Sequence, residues 1–278
     1  MPSSRALVLG GGGVTGIAWM TGLLTGLAQA GVDLTKADLV VGTSAGSVVG
    51  AQLRSGVPVE ALYEKQLEDP TGEIPARMGL GFYLRFIGLS MLPGNESNVR
   101  ARVGRASLRA KTVPESERID AIRTRLPTLD WPEGRLLVTT VDAETGEAVV
   151  LDRDGDATLL EAVAASCAVP IVWPPITIKG RRYVDGGVRS ITNADLATGC
   201  ERVLVLAPAT YALRRSGRIS SQLASLGPAV RSLVVSPDAE SRRAIGNNVL
   251  DPARRPASAR AGRAQAAGEA RAVADLWN

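Results

Sequence analysis

The sequence predicts an α/β fold with a mainly parallel central sheet flanked by helices. Two stretches carry that prediction. Ala6-Leu7-Val8-Leu9 is a short apolar run leading into Gly10 to Gly13, after which Ile17, Trp19, Met20, Leu23, Leu24 and Leu27 recur at helical spacing until Gly31. Leu39-Val40-Val41 then completes a βαβ unit, which requires parallel strands and a right-handed crossover. In the second stretch that strand is broken by Gly42-Thr43-Ser44-Ala45-Gly46, and apolar residues resume at helical spacing. A chain of 278 residues, 45% of them hydrophobic, is long enough to bury a sizeable core as one domain.

Gly56-Val57-Pro58 turns the chain into a second helix over 59–68. Between 70 and 113 the residues Pro70, Gly72, Pro75, Gly79, Gly81, Gly88, Pro93 and Gly94 predict an irregular insertion. Its apolar residues, including Phe82 and Phe86, fit two roles: a helix packed on the core, or a lid or acyl-chain funnel over a site. Residues 115–126 read as a helix. Arg135 to Val141 and Ala148 to Leu151 form a hairpin around Glu144-Thr145-Gly146, and Thr158 to Ala168 is a helix ended by Pro170. Ile176 to Ile178 and Arg181 to Val184 flank Lys179-Gly180 in a tight hairpin that delivers Asp185-Gly186-Gly187. Arg202 to Ala207 and Leu233 to Val235 are further strands, and the Ala- and Arg-rich remainder predicts a C-terminal helix broken around Pro252 to Pro256.

Composition excludes several function classes. The net charge is +4 and the arginines are scattered, with no dense block that would track a phosphate backbone, so no nucleic acid partner is expected. A mildly basic surface favours anionic lipid headgroups, which makes transient contact with a membrane surface the expected association. Cys167 and Cys200 have neither disulfide nor metal spacing and read as buried thiols. Arg5 followed by an apolar stretch and Ala28-Gln29-Ala30 imitates a secretory signal, but Gly10 to Gly13 interrupt its apolar part. With no uninterrupted apolar run of bilayer-spanning length, the expected location is cytoplasmic, with a peripheral position at the membrane as its variant.

The residues around Ser44 fit G-x-S-x-G. Two readings suit them: a serine nucleophile elbow on a tight strand-to-helix turn, or a glycine-rich turn whose serine caps the helix. Gly11 to Gly16 fit G-x-G-x-x-G, yet a dinucleotide site needs an acidic residue at the end of the second strand, and Asp33 and Asp38 come before it. A phosphate loop is excluded because no Gly-Lys-Ser/Thr follows. The backbone N–H groups of Gly11, Gly12 and Gly13 instead form a concentration of donors beside a helix start, suited to an oxyanion hole if Ser44 is nucleophilic. The chain has no histidine, which removes a Ser-His-Asp triad and leaves a carboxylate or one of Lys36, Lys65, Lys111 and Lys179 as base. Asp185, followed by glycines that allow close backbone approach, is the better candidate, with a plain Asp-Gly turn as the alternative.

Four pieces occur in order: Leu9-Gly-Gly-Gly-Gly-Val-Thr-Gly16, Gly42-Thr-Ser-Ala-Gly46, Ala165-Ser-Cys-Ala-Val-Pro170 and Tyr183-Val-Asp-Gly-Gly187. Together they resemble the patatin-like phospholipase family. The resemblance covers about residues 5–208 and implies a three-layer patatin-like fold with its catalytic core there; the irregular, lid-like insertion over about 70–113 with Phe82 and Phe86, and the mostly helical 209–278, which matches weakly, are read as parts of the same domain. It implies a Ser-Asp dyad without histidine, with Ser44 as nucleophile, Asp185 as general base and the glycine loop as oxyanion hole. No cofactor and no metal are called for. The implied activity is hydrolysis of fatty-acyl esters of lipids, of phospholipase A, lysophospholipase or esterase type, through an acyl-enzyme. One departure is Thr15, where the family's loop usually has Arg or Lys. It motivates a second reading as a catalytically weak or inactive lipid-binding or regulatory protein; a nucleotide-dependent oxidoreductase is the third.

Overall fold

Strand β1 (Arg5–Leu9) is apolar on both faces and fully buried from Ala6 to Leu9, and in the computed structural model of the chain it has a parallel neighbour on each side. The structure describes residues 4–69, 73, 76–77, 81, 88–89, 91–212 and 214–278. The neighbours of β1 are β2 (Leu39–Thr43) and β7 (Arg202–Leu206). Outside them, β3 (Arg135–Asp142) pairs parallel with β2, and β8 (Arg231–Val235) with β7. The order is completed on the β3 side by β6 (Arg181–Asp185) and then β5 (Ile176–Ile178), both in antiparallel pairs, while β4 (Ala148–Leu151) also pairs antiparallel with β3. Strands buried on both faces read as continuous apolar runs, which is why the parallel strands were legible.

Alternate strand residues feed two cores, giving three layers. Leu7, Leu9, Val40, Val138, Leu204 and Leu206 face one side and pack with α1 (Gly13–Gln29), α2 (Ala45–Arg54) and α6 (Leu159–Ser166), where the long C-terminal α9 (Arg255–Trp277) also lies. Ala6, Val8, Val41, Val203 and Val205 face the other, against the short turn at Ala194–Ala197 and the half-buried Ile219 and Leu223 of α7 (Ile219–Ser225). The remaining helices are α3 (Val59–Leu67), α4 (Glu96–Leu108), α5 (Glu115–Arg123) and α8 (Ala239–Ile245). Close backbone contact between α1 and α9 depends on glycine: a Cβ on Gly22 would lie 2.0 Å from the Ala259 carbonyl oxygen. A buried hydrogen bond from Trp19 Nε1 to Gln265 Oε1, 3.1 Å, fixes the register of the pair.

Two expectations need correction. Residues 70–113 are not irregular throughout, because α4 occupies thirteen of them, started by Asn95, whose side chain accepts from the Asn98 N–H at 2.8 Å. Its apolar stripe is thin, Val99 and Val103 with alanines, so the surrounding prolines and glycines dominate the pattern. The C-terminal helix is also continuous from Arg255: Pro256 sits in its first turn, where a missing N–H costs no hydrogen bond. The break precedes it, at the turn Pro252–Arg254. Cys167 and Cys200 are free buried thiols, as expected.

Candidate active site

Between the end of β2 at Thr43 and the start of α2 at Ala45, a single residue makes the turn, and Ser44 makes it with φ 53° and ψ −118°. A non-glycine residue in that region is strained and persists only where its surroundings hold it. Here the Ser44 N–H donates to Ser166 Oγ at 2.9 Å, and its carbonyl accepts from the Ser47 N–H (2.9 Å) and Ser47 Oγ (2.7 Å). The start of α2 is pressed onto β1: a Cβ on Gly46 would sit 1.9 Å from the Leu9 carbonyl oxygen. The result is a serine that is 7% exposed at the carboxyl end of a central strand.

The sheet register brings Asp185 to it. Thr43 is paired with Thr139 on β3, and Asp185 with the next residue, Thr140. Asp185 is 5% exposed, accepts the Gly187 N–H at 2.7 Å and is influenced by the Ser44 side chain, which lowers its pKa. Burial pushes its carboxyl up to about 6, against the lowering influence of the Ser44 hydroxyl, the Gly187 N–H and the positive charge of Arg118. Such a group is mostly ionised at neutral pH yet more basic than an ordinary carboxylate. Beneath the pair, Asn193 Nδ2 donates to Thr43 Oγ1 (3.0 Å) and the Ser190 carbonyl (2.8 Å), while Arg189 donates to Asn193 Oδ1 (2.7 Å). Asn193 and Ser166 were not singled out in the sequence, although Ser166 lies inside one of the four pieces.

The glycine loop borders the turn, with one correction to its expected donors. The Gly11 N–H is taken by the Ile191 carbonyl at 2.8 Å, so it anchors the loop to the segment that follows Asp185. The N–H groups of Gly12, Gly13 and Ala45 bond to no described residue. Thr15 is buried, and both its N–H (3.2 Å) and its Oγ1 (3.3 Å) donate to the Val249 carbonyl.

A narrow cleft opens on Ser44, lined among others by Gly13, Val14, Ile17, Arg118 and Trp173. A wider one shares Val14, Ile17 and Arg125 with it. Arg118 was not anticipated, because α5 reads Glu-Ser-Glu-Arg-Ile-Asp-Ala-Ile-Arg, the pattern of a solvated charged helix. It is 3% exposed, its guanidinium lies 4.1 Å from the Trp173 ring centroid, and burial pushes its pKa down to about 10, leaving it charged at neutral pH. Phe82 and Phe86, the expected lid residues, lie outside the described residues. Among the described residues, no group of His, Cys, Asp and Glu is placed to hold a metal ion, and no helix is long and apolar enough to cross a membrane.

A glycine loop, a strained serine turn and a buried aspartate at the carboxyl ends of their strands agree with a sequence comparison in which the family model described as patatin-like phospholipase matches residues 7–198. The chain belongs to that family. As its description says, that family is one of phospholipases, which are lipid acyl hydrolases. Similar solved structures include VipD from Legionella pneumophila, with 15% identity and a TM-score of 0.48 over 98% of this chain and 67% of that one. The type III effector protein ExoU has 17% identity and a TM-score of 0.43, over 98% of this chain and 53% of its own. Full-length ExoU in complex with SpcU, from the type III secretion system of Pseudomonas aeruginosa, has 14% identity and a TM-score of 0.39, over 92% and 52%. The patatin-like chain thus spans about two thirds of VipD and about half of ExoU. Among curated proteins no relative matches it.

Proposed function

We propose that the chain is a serine acyl hydrolase that cleaves fatty-acyl ester bonds of lipids, of phospholipase A, lysophospholipase or esterase type, through Ser44 and Asp185. The observation that carries the reading is the buried carboxyl of Asp185, which feels the Ser44 side chain and is raised to about 6 by burial. Ionised Asp185 accepts the Ser44 hydroxyl proton as Oγ bonds to the ester carbonyl carbon, and the carbonyl electron pair moves to oxygen. The N–H groups of Gly12 and Gly13, and that of Ala45 at the start of α2, are the donors for this oxyanion. Collapse re-forms the carbonyl and expels the alcohol oxygen, which takes the proton from Asp185 and leaves an acyl-Ser44 ester. Asp185 then removes a proton from water as the water oxygen attacks that ester. The second collapse releases the fatty acid and returns the proton to Ser44.

A second reading, lipid binding without turnover, is favoured by Thr15, which brings no charge to the loop and is tied to the Val249 carbonyl. A lipid-class hydrolysis screen with the Ser44→Ala protein as the blank separates the two. Fatty acid released above the blank from at least one acyl ester is the expected result. Release equal to the blank from every class, with vesicles still bound, supports the second reading.

A further inference from the structure

The Ser44 cleft contains buried donors that the acyl-transfer steps leave idle. Nε and Nη1 of Arg118 and Nε1 of Trp173 are buried and have no hydrogen-bond partner among the described residues. The two side chains, 3% and 4% exposed, stack on each other and both line the cleft that holds Ser44. Among the described residues, the single side-chain hydrogen bond of Arg118 runs from Nη2 to the Cys167 carbonyl, 3.3 Å. Unpaired buried donors are rare, and a charged one is the most costly kind, so the cluster calls for an acceptor.

The groups nearby do not supply it. Burial raises the Cys167 thiol and keeps it neutral. Asp185 acts on Arg118 through space, but its carboxylate already accepts from the Gly187 N–H. Arg125, the other arginine of the cleft, is satisfied by Glu73, with Nε to Oε1 at 3.1 Å and a second bond from Nη2. What remains is a cation with two nitrogens unpartnered among the described residues, joined by an indole N–H, beside the reacting serine. Such a set of donors without an acceptor matches the oxygens of a phosphate group.

We propose that Arg118 and Trp173 Nε1 form an anion subsite that holds the phosphate of a phospholipid while the lipid's ester lies on Ser44. The assignment rests on the acyl-hydrolase reading and narrows it to esters bearing a phosphodiester. Only a few bonds separate the ester from the phosphate in a glycerophospholipid, so one small cleft can meet both. The Trp173 ring and the Arg118 guanidinium hold each other in place, so the donors are oriented before the lipid arrives.

The test compares lysophosphatidylcholine with the monoacylglycerol of the same acyl chain. The Arg118→Met protein should lower the ratio of kcat/KM for the phosphate-bearing over the neutral substrate by about 10- to 100-fold, and Arg118→Lys should restore part of it. An unchanged ratio overturns the proposal, whether both rates fall together, as for a residue serving the oxyanion, or neither does. Calorimetry on the Ser44→Ala protein gives a second readout with Arg118 intact. Lysophosphatidylcholine should bind about tenfold more tightly than monoacylglycerol; equal affinities overturn the subsite. Inorganic phosphate binding as tightly as the lysophospholipid would mark a free-phosphate site and overturn the lipid assignment. If the unmodified protein hydrolyses neither substrate, the acyl-hydrolase reading fails while the calorimetry still judges the subsite.

Discussion

Acidification through about pH 6 should switch off ester turnover, because Asp185 would already hold the proton it must accept from Ser44. Its carboxyl lies at about 6 through burial, offset in part by the Ser44 hydroxyl, the Gly187 N–H and Arg118. About 90% of it is ionised at pH 7 and about 10% at pH 5, so kcat/KM should drop about ninefold over that interval and about tenfold for each further unit. An ordinary carboxylate would leave the rate flat across the same range. The assay is acid release from an uncharged short-chain ester between pH 4.5 and 8 at constant ionic strength, with circular dichroism to show that the protein stays folded. Removing the opposing charge with Arg118→Met should move the midpoint above 6. A midpoint near 4, or a flat profile down to pH 5, would refute the reasoning.

Three further perturbations follow from the same geometry. The Asp185 carboxyl is raised on folding, so the native state binds its proton more tightly than the unfolded chain, and stability falls as pH rises from about 4 to about 6 and stays level above. Asp185→Asn should therefore abolish turnover while raising stability at pH 8 by up to about 3 kcal/mol in urea unfolding; a destabilised variant counts against the raised value. Ser44→Gly removes the strain of a side chain at φ 53° and should stabilise by about 1 kcal/mol with complete loss of activity, read as a shift in the urea midpoint. Gly46→Ala drives a methyl into the Leu9 carbonyl and should destabilise by more than about 3 kcal/mol, whereas Gly31→Ala, with open space around it at φ 85°, should cost only about 1 kcal/mol.

The parts of the fold that could be read from the sequence are those whose pattern is local. The strand, glycine loop and helix of residues 6–30 show their burial in their own spacing, and the hairpin at Lys179-Gly180 shows its turn, both residues lying at positive φ. Helix α4 was hidden because Val99 and Val103 are diluted by arginines and alanines whose packing partners lie elsewhere in the chain. Ser44 could be found from its neighbours, but its meeting with Asp185 depends on the register of β3, a long-range fact that the family resemblance supplied and local pattern did not. Arg118 carried no signal. Its character comes from Trp173 and the Cys167 carbonyl, about 50 residues further along the chain. The Gly11 N–H looked free until Ile191, far along the sequence, was folded against it.

The central claim is that Asp185 makes Ser44 a nucleophile. Labelling with a fluorophosphonate, followed by peptide mass spectrometry, tests it most directly. The account predicts one adduct, on Ser44, that disappears in the Asp185→Asn protein. An adduct on another serine, none at all, or undiminished labelling of Ser44 in Asp185→Asn would contradict it.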